Sequence, residues 1–309
     1  MLPSLNSMVS RLRLKHFRLL VALDDCGSLL KAAEYVALSQ PGATKALQEI
    51  ESALGAELFI RNNRGLEPTD LGHCAIRYAR LITSDMTHMR EEMVGMLRGH
   101  GGRLSIGVIM GAVPMLTKRL SPWLEHLPSL SVQIVEDTSA RLLSLLDDGR
   151  LDLAICRTSI SEHPDLYRAV NIREEQLAIV ANSQHPLADA RTLSLADLAA
   201  YRWVVYSANM PMRLLLEREF QQAGLRFPLN LFETTSAFTT LSMLQQNPTM
   251  VALLSIDAAQ FCTRFGMTRI LPLQLQSRSE PYFLVTRHDR ALSANAELFV
   301  REILGESTV

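Results

Sequence analysis

The segment from Thr69 to Arg98 constrains this chain more than any other. Apolar side chains recur there at Ala75, Ile82, Met89 and Met96, and again at Ala79, Met86 and Met93. Each series repeats every seven residues and the two together alternate by four and three, which is the stripe of a coiled-coil seam. The spacing predicts a helix over 70–98 whose stripe pairs with a second copy of the chain. Packing on its own domain is the other outcome such a stripe allows. Four methionines on the seam suit an adaptable interface, because the thioether side chain is flexible and polarisable. Arg98-Gly-His-Gly-Gly-Arg103 follows, and its glycines read as a hinge over 99–103. The chain is thereby divided into a small amino-terminal part and a carboxyl-terminal domain over 104–309.

Ahead of the long helix, residues 1–10 read as an arm and 11–69 as a compact helical module ending in a hairpin. Leu14, Phe17, Leu20 and Val21 give 11–25 helical periodicity, and Gly27 stops that helix. Ser28 is placed to cap a short second helix. Ser39 is placed to cap a third, with Pro41 in its first turn, where a missing N–H does no harm, and Gly55 at its end. Ala43, Ala46, Leu47, Ile50 and Leu54 form the apolar stripe of this third helix, while Thr44, Lys45 and Gln48 fall on a polar face. Two short helices joined by a tight turn, with polar side chains near the start of the second, are the layout of a DNA-reading helix-turn-helix. The stretch ELFIRNNRGLEPT then reads as strand, turn and strand, a wing with Asn62-Asn63-Arg64-Gly65 at its tip.

Charge neither advertises nor forbids that reading. The 309 residues carry a net charge of −1, and residues 1–68 hold eight Lys and Arg against seven Asp and Glu. Such a reader depends on where its few cations stand. The four cysteines are scattered, without the pairs or Cys/His clusters of a metal site, and neither a metal nor another cofactor is expected. No apolar run reaches the ~20 residues of a membrane span, and no export signal opens the chain, so a cytoplasmic address and no membrane partner are expected.

Beyond the hinge, short apolar runs at Leu104–Ile109, Ser131–Val135 and Leu151–Ile155 alternate with helical stretches, the signature of a parallel α/β sheet. The pattern breaks near Glu175–Val180 and resumes at Trp203–Tyr206, Asn230–Glu233 and Val251–Leu254. It closes with a strand at Pro281–Val285 and a helix at Ala294–Leu304. Two small α/β lobes with a cleft between them account for this order.

The chain resembles the LysR-type transcriptional regulators. The resemblance is carried by Gly27-Ser-Leu-Leu-Lys-Ala-Ala-Glu34, Leu38-Ser-Gln-Pro41, Gln48-Glu-Ile-Glu51 with Leu54-Gly55, Glu57-Leu-Phe-Ile-Arg61 and Pro68-Thr-Asp-Leu-Gly72. It implies an α/β protein with an amino-terminal winged helix-turn-helix, a dimerising linker helix and a two-lobed effector domain like the periplasmic binding proteins. Lobe I would span about 104–173 and 277–309, and lobe II about 174–276. The implied partners are double-stranded promoter DNA, further copies of the chain (a dimer, then a tetramer) and a small-molecule effector, with RNA polymerase a candidate. The implied function is regulation of transcription, with no enzymatic turnover.

The candidate DNA contacts are Ser39, Gln40, Pro41, Thr44, Lys45 and Gln48 on the third helix, with Lys31, Arg61 and Arg64 around it. Gln40 can pair with adenine N6 and N7, and Pro41 can touch a thymine methyl. Lys45 stands where the family more often has Arg, and without Arg's two-pronged grip it suits phosphate. Arg64 matches the family's minor-groove position. Lys31 could equally be solvated, and Arg61 could pair with Glu57 or Glu67.

Effector contacts are expected beyond the carboxyl ends of the strands. Met110, Gly111, Thr138, Ser139 and Arg157 come from lobe I, and Ser207, Asn209, Thr235 and Ser255 from lobe II. Arg157 is placed to clamp a carboxylate, or to pair with Asp152 or Asp165. Met110-Gly111 stand where many relatives carry Ser or Thr, which argues against transferring an aromatic-acid effector. Two rival readings are an enzyme fused to a winged helix, for which no catalytic motif is found, and a regulator that binds DNA without an effector.

Overall fold

A computed structural model describes residues 2–62, 65–97, 101–208 and 210–305, and the side chains of Arg61, Asn62, Glu91, Glu92 and Met96 also lie outside the described set. The chain forms two compact units, Met1–Arg103 with Ser144–Leu151, and Leu104–Leu143 with Asp152–Val309.

The first unit opens with a helix, α1 (Leu5–Arg11), where the sequence suggested an arm; Ser4 caps it by accepting the Ser7 N–H. The chain then breaks at extended Leu12 and Arg13, so the next helix begins at Leu14 rather than 11. That helix, α2 (Leu14–Cys26), stops at Gly27, whose left-handed φ of 59° costs a glycine little. Next come α3 (Leu29–Tyr35) and α4 (Gln40–Leu54), then β1 (Phe59–Asn62) and β2 (Gly65–Pro68), which pair antiparallel from Phe59↔Pro68 to Asn62↔Gly65. Leu19, Leu20 and Leu23 of α2, Ala32 and Ala33 of α3, and Ala43, Leu47 and Ile50 of α4 close on one core with Leu58, Phe59 and Leu66 of the wing. Ser28 occupies the cap position of α3, but its side chain makes no capping hydrogen bond.

The long helix α5 (Asp70–Leu97) is anchored to this core at its first turns. Thr69 donates its hydroxyl to the Glu57 carbonyl and accepts the Gly72 N–H. Gly72 itself packs so closely on strand β1's entry that a Cβ there would collide with the Leu58 carbonyl. Arg80 reaches Asp24 at 2.6 Å, tying α5 to the end of α2. The stripe read from the sequence therefore divides. Ala79 is 0% exposed and belongs to the unit's own core, so it cannot line a seam with a second chain, and half-buried Ala75 packs beside it. Ile82 is half-buried, while Met86, Met89 and Met93 are exposed. At the amino-terminal end Leu71 and Tyr78 are the exposed apolar side chains instead.

The second unit holds two five-stranded sheets. Lobe I is ordered β4-β3-β5-β12-β6, from β3 (Arg103–Val108), β4 (Ser131–Glu136), β5 (Leu153–Cys156), β6 (Tyr167–Arg173) and β12 (Tyr282–Arg287). Lobe II is ordered β11-β7-β10-β8-β9, from β7 (Leu177–Ala181), β8 (Arg202–Val205), β9 (Leu231–Glu233), β10 (Met250–Ser255) and β11 (Arg269–Ile270). Both sheets are mixed rather than parallel. The β3–β5, β8–β9 and β8–β10 pairs are parallel, but β12 runs antiparallel to β5 and β6, and β7 antiparallel to β10 and β11. The reason is topological: the chain crosses between lobes from β6 to β7 and again from β11 to β12, and a strand entered by such a crossing need not follow a βαβ turn. The lobe II sheet is buried on both faces. Ile179, Trp203, Val205, Val251 and Leu253 face one cluster, and Val180, Val204, Ala252 and Leu254 the other, as the two-residue period of strands requires.

The remaining helices are α6 (Val113–Glu125), α7 (Ser139–Asp147), α8 (Leu195–Leu198), α9 (Pro211–Gln222), α10 (Ala237–Gln246), α11 (Ile256–Arg264) and α12 (Ala294–Leu304). No helix among the described residues is long and apolar enough to cross a membrane.

Candidate DNA-binding face and effector cleft

Helix α4 presents its amino-terminal end to solvent because its other side is spent in the core. Ser39 accepts the Gly42 N–H at 3.2 Å and so starts the helix, with Pro41 in its first turn. Ser39, Gln40, Pro41, Lys45 and Gln48 are all exposed. Thr44 is half-buried and donates its hydroxyl to the Gln40 carbonyl at 3.0 Å, leaving it an acceptor for an incoming donor group. The turn into α4 is held by Ala37 in left-handed backbone at φ 58°. Glu51, at the far end of the same helix, is structural, since its Oε1 accepts the Leu58 N–H at 2.9 Å and fixes the start of the wing. Gly65 fixes the wing's return, because a Cβ there would lie 2.7 Å from the Gly27 carbonyl. Lys31 is exposed on α3. The Arg61 side chain and Arg64 lie outside the described residues. Sequence reasoning passed over Tyr35, which is 73% exposed at the end of α3, next to the turn. Its position off the apolar stripe of α3 was the available signal.

In the second unit a cavity of about 540 Å³ opens between the lobes, within the size range of small-molecule sites. The ends of β3, β4, β5, β8 and β9 supply its walls. Of the nine expected contacts, Met110, Gly111, Thr138, Ser139, Arg157 and Thr235 line it. Ser255 does not. It is buried, donates to the Gly111 carbonyl at 3.3 Å and accepts the Ala258 N–H to cap α11, so its hydroxyl joins the lobes instead of meeting a ligand. Ser207 is also absent from the lining, its carbonyl accepting the Met210 N–H. Asn209 lies outside the described residues.

The larger correction concerns Arg157. It does not stand open to a carboxylate, nor does it pair with Asp152 or Asp165. It is 6% exposed and its Nη2 is bonded to Glu175, itself 4% exposed, on the segment that crosses from β6 to β7. Ser279, on the return crossing, accepts from Arg157 at 3.1 Å and donates to Glu175 Oε2 at 3.0 Å. Arg157 Nε donates to the Glu280 carbonyl at 3.4 Å. Burial pushes the Glu175 carboxyl above its ordinary value, while Arg157 and the Ser279 hydroxyl pull it back. Sequence reading missed Glu175 because it recorded only a broken strand pattern there. The break is where the chain changes lobes, and a crossing segment runs along the cleft floor. Glu136, Asp137, Tyr206, Met210 and Met212 also line the cavity. Tyr206 donates its hydroxyl to Met110 Sδ at 3.5 Å, a further link between lobes. Arg173 joins Asp257 at 2.7 Å in the same sense. Cys156, beside Arg157, is fully buried, and burial pushes its thiol up to about 12, so it stays protonated.

A winged helix-turn-helix followed by a two-lobed clamp around a cavity defines the class of ligand-binding, DNA-reading regulators. Family comparison gives the same division: residues 14–73 match the bacterial regulatory helix-turn-helix protein, lysR family, and residues 97–307 match the LysR substrate binding domain. The chain belongs to the LysR family of transcriptional regulators. It is 32% identical over 289 residues to the HTH-type transcriptional regulator GbpR of Azospirillum brasilense, covering 93% of this chain and 84% of that one. Its fold is similar to that of CbnR, a LysR family transcriptional regulator, at a TM-score of 0.64 and 19% identity, over 96% of this chain and 100% of the other. Full-length CbnR complexed with its target DNA gives 0.63 and 20% identity, with the same coverage.

Proposed function

We propose that this regulator reads promoter DNA through the amino-terminal end of α4, as a dimer or larger assembly paired along α5, and that a small molecule in the cleft alters that reading. The observation that carries the proposal is the exposed row Gln40, Lys45 and Gln48 on a helix whose opposite face, Ala43, Leu47 and Ile50, is locked in the core. A helix so held can enter a major groove without rearrangement. Gln40 reads a base edge, Thr44 supplies an acceptor, Lys45 meets phosphate, and Arg64 on the wing reaches the neighbouring groove. Tyr35 adds a hydroxyl beside the backbone. The protein acts in the cytoplasm, needs no cofactor and turns over no substrate.

Titrating a selected operator and random DNA at fixed salt tests the reading. Gln40→Ala should lower discrimination at one base pair by ~1–3 kcal/mol, whereas Lys45→Ala should weaken all sequences alike and flatten the salt dependence. Wild-type affinity of both variants for both DNAs would refute it.

A further inference from the structure

The cleft of this chain already contains a carboxylate, and a lining arginine is committed to it. Arg157 is the only Lys or Arg among the described residues that line the cavity, against Glu136, Asp137 and Glu175. Its guanidinium is bonded to Glu175 and Ser279 and is almost fully buried. A ligand carboxylate would therefore meet three carboxylates and an arginine whose charge is already balanced.

Glu175 points the other way. Its Oε2 receives Arg157 and Ser279, but its buried Oε1 has no hydrogen-bond partner, an arrangement that polar groups out of water rarely keep. That oxygen lies over Gly111, another lining residue, so closely that any Cβ at 111 would collide with it, and would also lie 3.2 Å from Ser255 Oγ. Gly111 is thus what makes room for Glu175 in the cleft. The rest of the wall is largely apolar, from Met110, Ile160, Met210 and Met212.

Resting on the reading of this cleft as the effector site, we propose that its ligand is a small primary amine, whose ammonium donates to Glu175 Oε1 while an apolar body lies against the methionines. Oε1 needs a donor, and an ammonium supplies one together with a positive charge to set against carboxylates that outnumber the lining arginine. Burial raises the Glu175 carboxyl, and a cation beside it favours the ionised form that accepts the bond.

The test uses the full chain and three isosteric probes, butylamine, butanol and butyrate, titrated at millimolar concentration by thermal shift and ligand-observed NMR, with operator affinity followed in parallel. Butylamine should bind the wild type, while butanol and butyrate do not. Glu175→Gln should lose amine affinity by at least about tenfold, the worth of one charge-assisted hydrogen bond, and should gain butyrate binding because Arg157 is released. Should that variant fail to fold, the double change of exposed Glu136→Gln and Asp137→Asn should weaken butylamine and reduce its salt dependence while leaving the fold intact. Preferential binding of butyrate or butanol by the wild type overturns the amine proposal and leaves the cleft as the effector site. If no probe binds, the amine proposal falls; if operator affinity is also unchanged by every probe, the cleft reading loses its support as well.

Discussion

Ala37 is the one residue other than glycine with positive φ among those described, and it sits in the turn that aims α4. A left-handed alanine costs ~1–2 kcal/mol, which a glycine avoids at a smaller entropic cost. Ala37→Gly should raise the unfolding free energy by about 0.5–1 kcal/mol in urea titrations, and Ala37→Val should lower it by more. A second residue-scale expectation concerns pH. Burial lowers His185 below its ordinary 6.5, and its Nδ1 must stay unprotonated to accept the Leu187 N–H at 3.1 Å. The unfolded chain takes up a proton as pH falls through 6.5 and the folded chain does so later, so this contribution is full above 6.5 and is lost below it. The urea midpoint should fall between pH 7.5 and 5.5, and less steeply in His185→Asn, which keeps an acceptor at that place. His16, lowered by burial and then by Lys15, adds to the same trend and sets the residual slope of that variant.

At the scale of elements, α5 is where sequence periodicity both succeeded and misled. Its bounds follow from the apolar repeat and the glycines beyond it, but a repeat of seven cannot say which end of a stripe a helix's own domain will claim. Here the domain takes Ala75 and Ala79, and the free stripe runs through Leu71, Tyr78 and Met89. Leu71 and Met89 are five full turns apart, so they lie on one line of the helix. Met89→Asp puts a charge on that line without touching the core. It should shift the chain toward monomer in mass photometry and weaken operator binding, and an unchanged oligomer would remove α5 from the interface. The caps and stops of α4 were legible because Ser39, Pro41 and Gly55 each have a local role. Strands β6, β7 and β11 and the three helices α8, α10 and α11 were not, since their pairing and packing neighbours come from distant sequence. The same distance hid Glu175, 18 residues from Arg157 and on a different element.

At the scale of the whole molecule, residues 1–68 with eight cations and seven anions hold little unspecific attraction for a polyanion. Phosphate contacts supply much of the affinity of such proteins, so one copy of this reader binds weakly and two held together bind well. The full chain should therefore protect paired half-sites, and the most direct measurement is a DNase footprint of the intact protein on an operator selected by binding from genomic fragments. The account predicts two protected half-sites with centres separated by about one helical turn of ~34–36 Å or a multiple of it, both lost together in Met89→Asp. A single isolated half-site, or protection unaltered by that substitution, would contradict it.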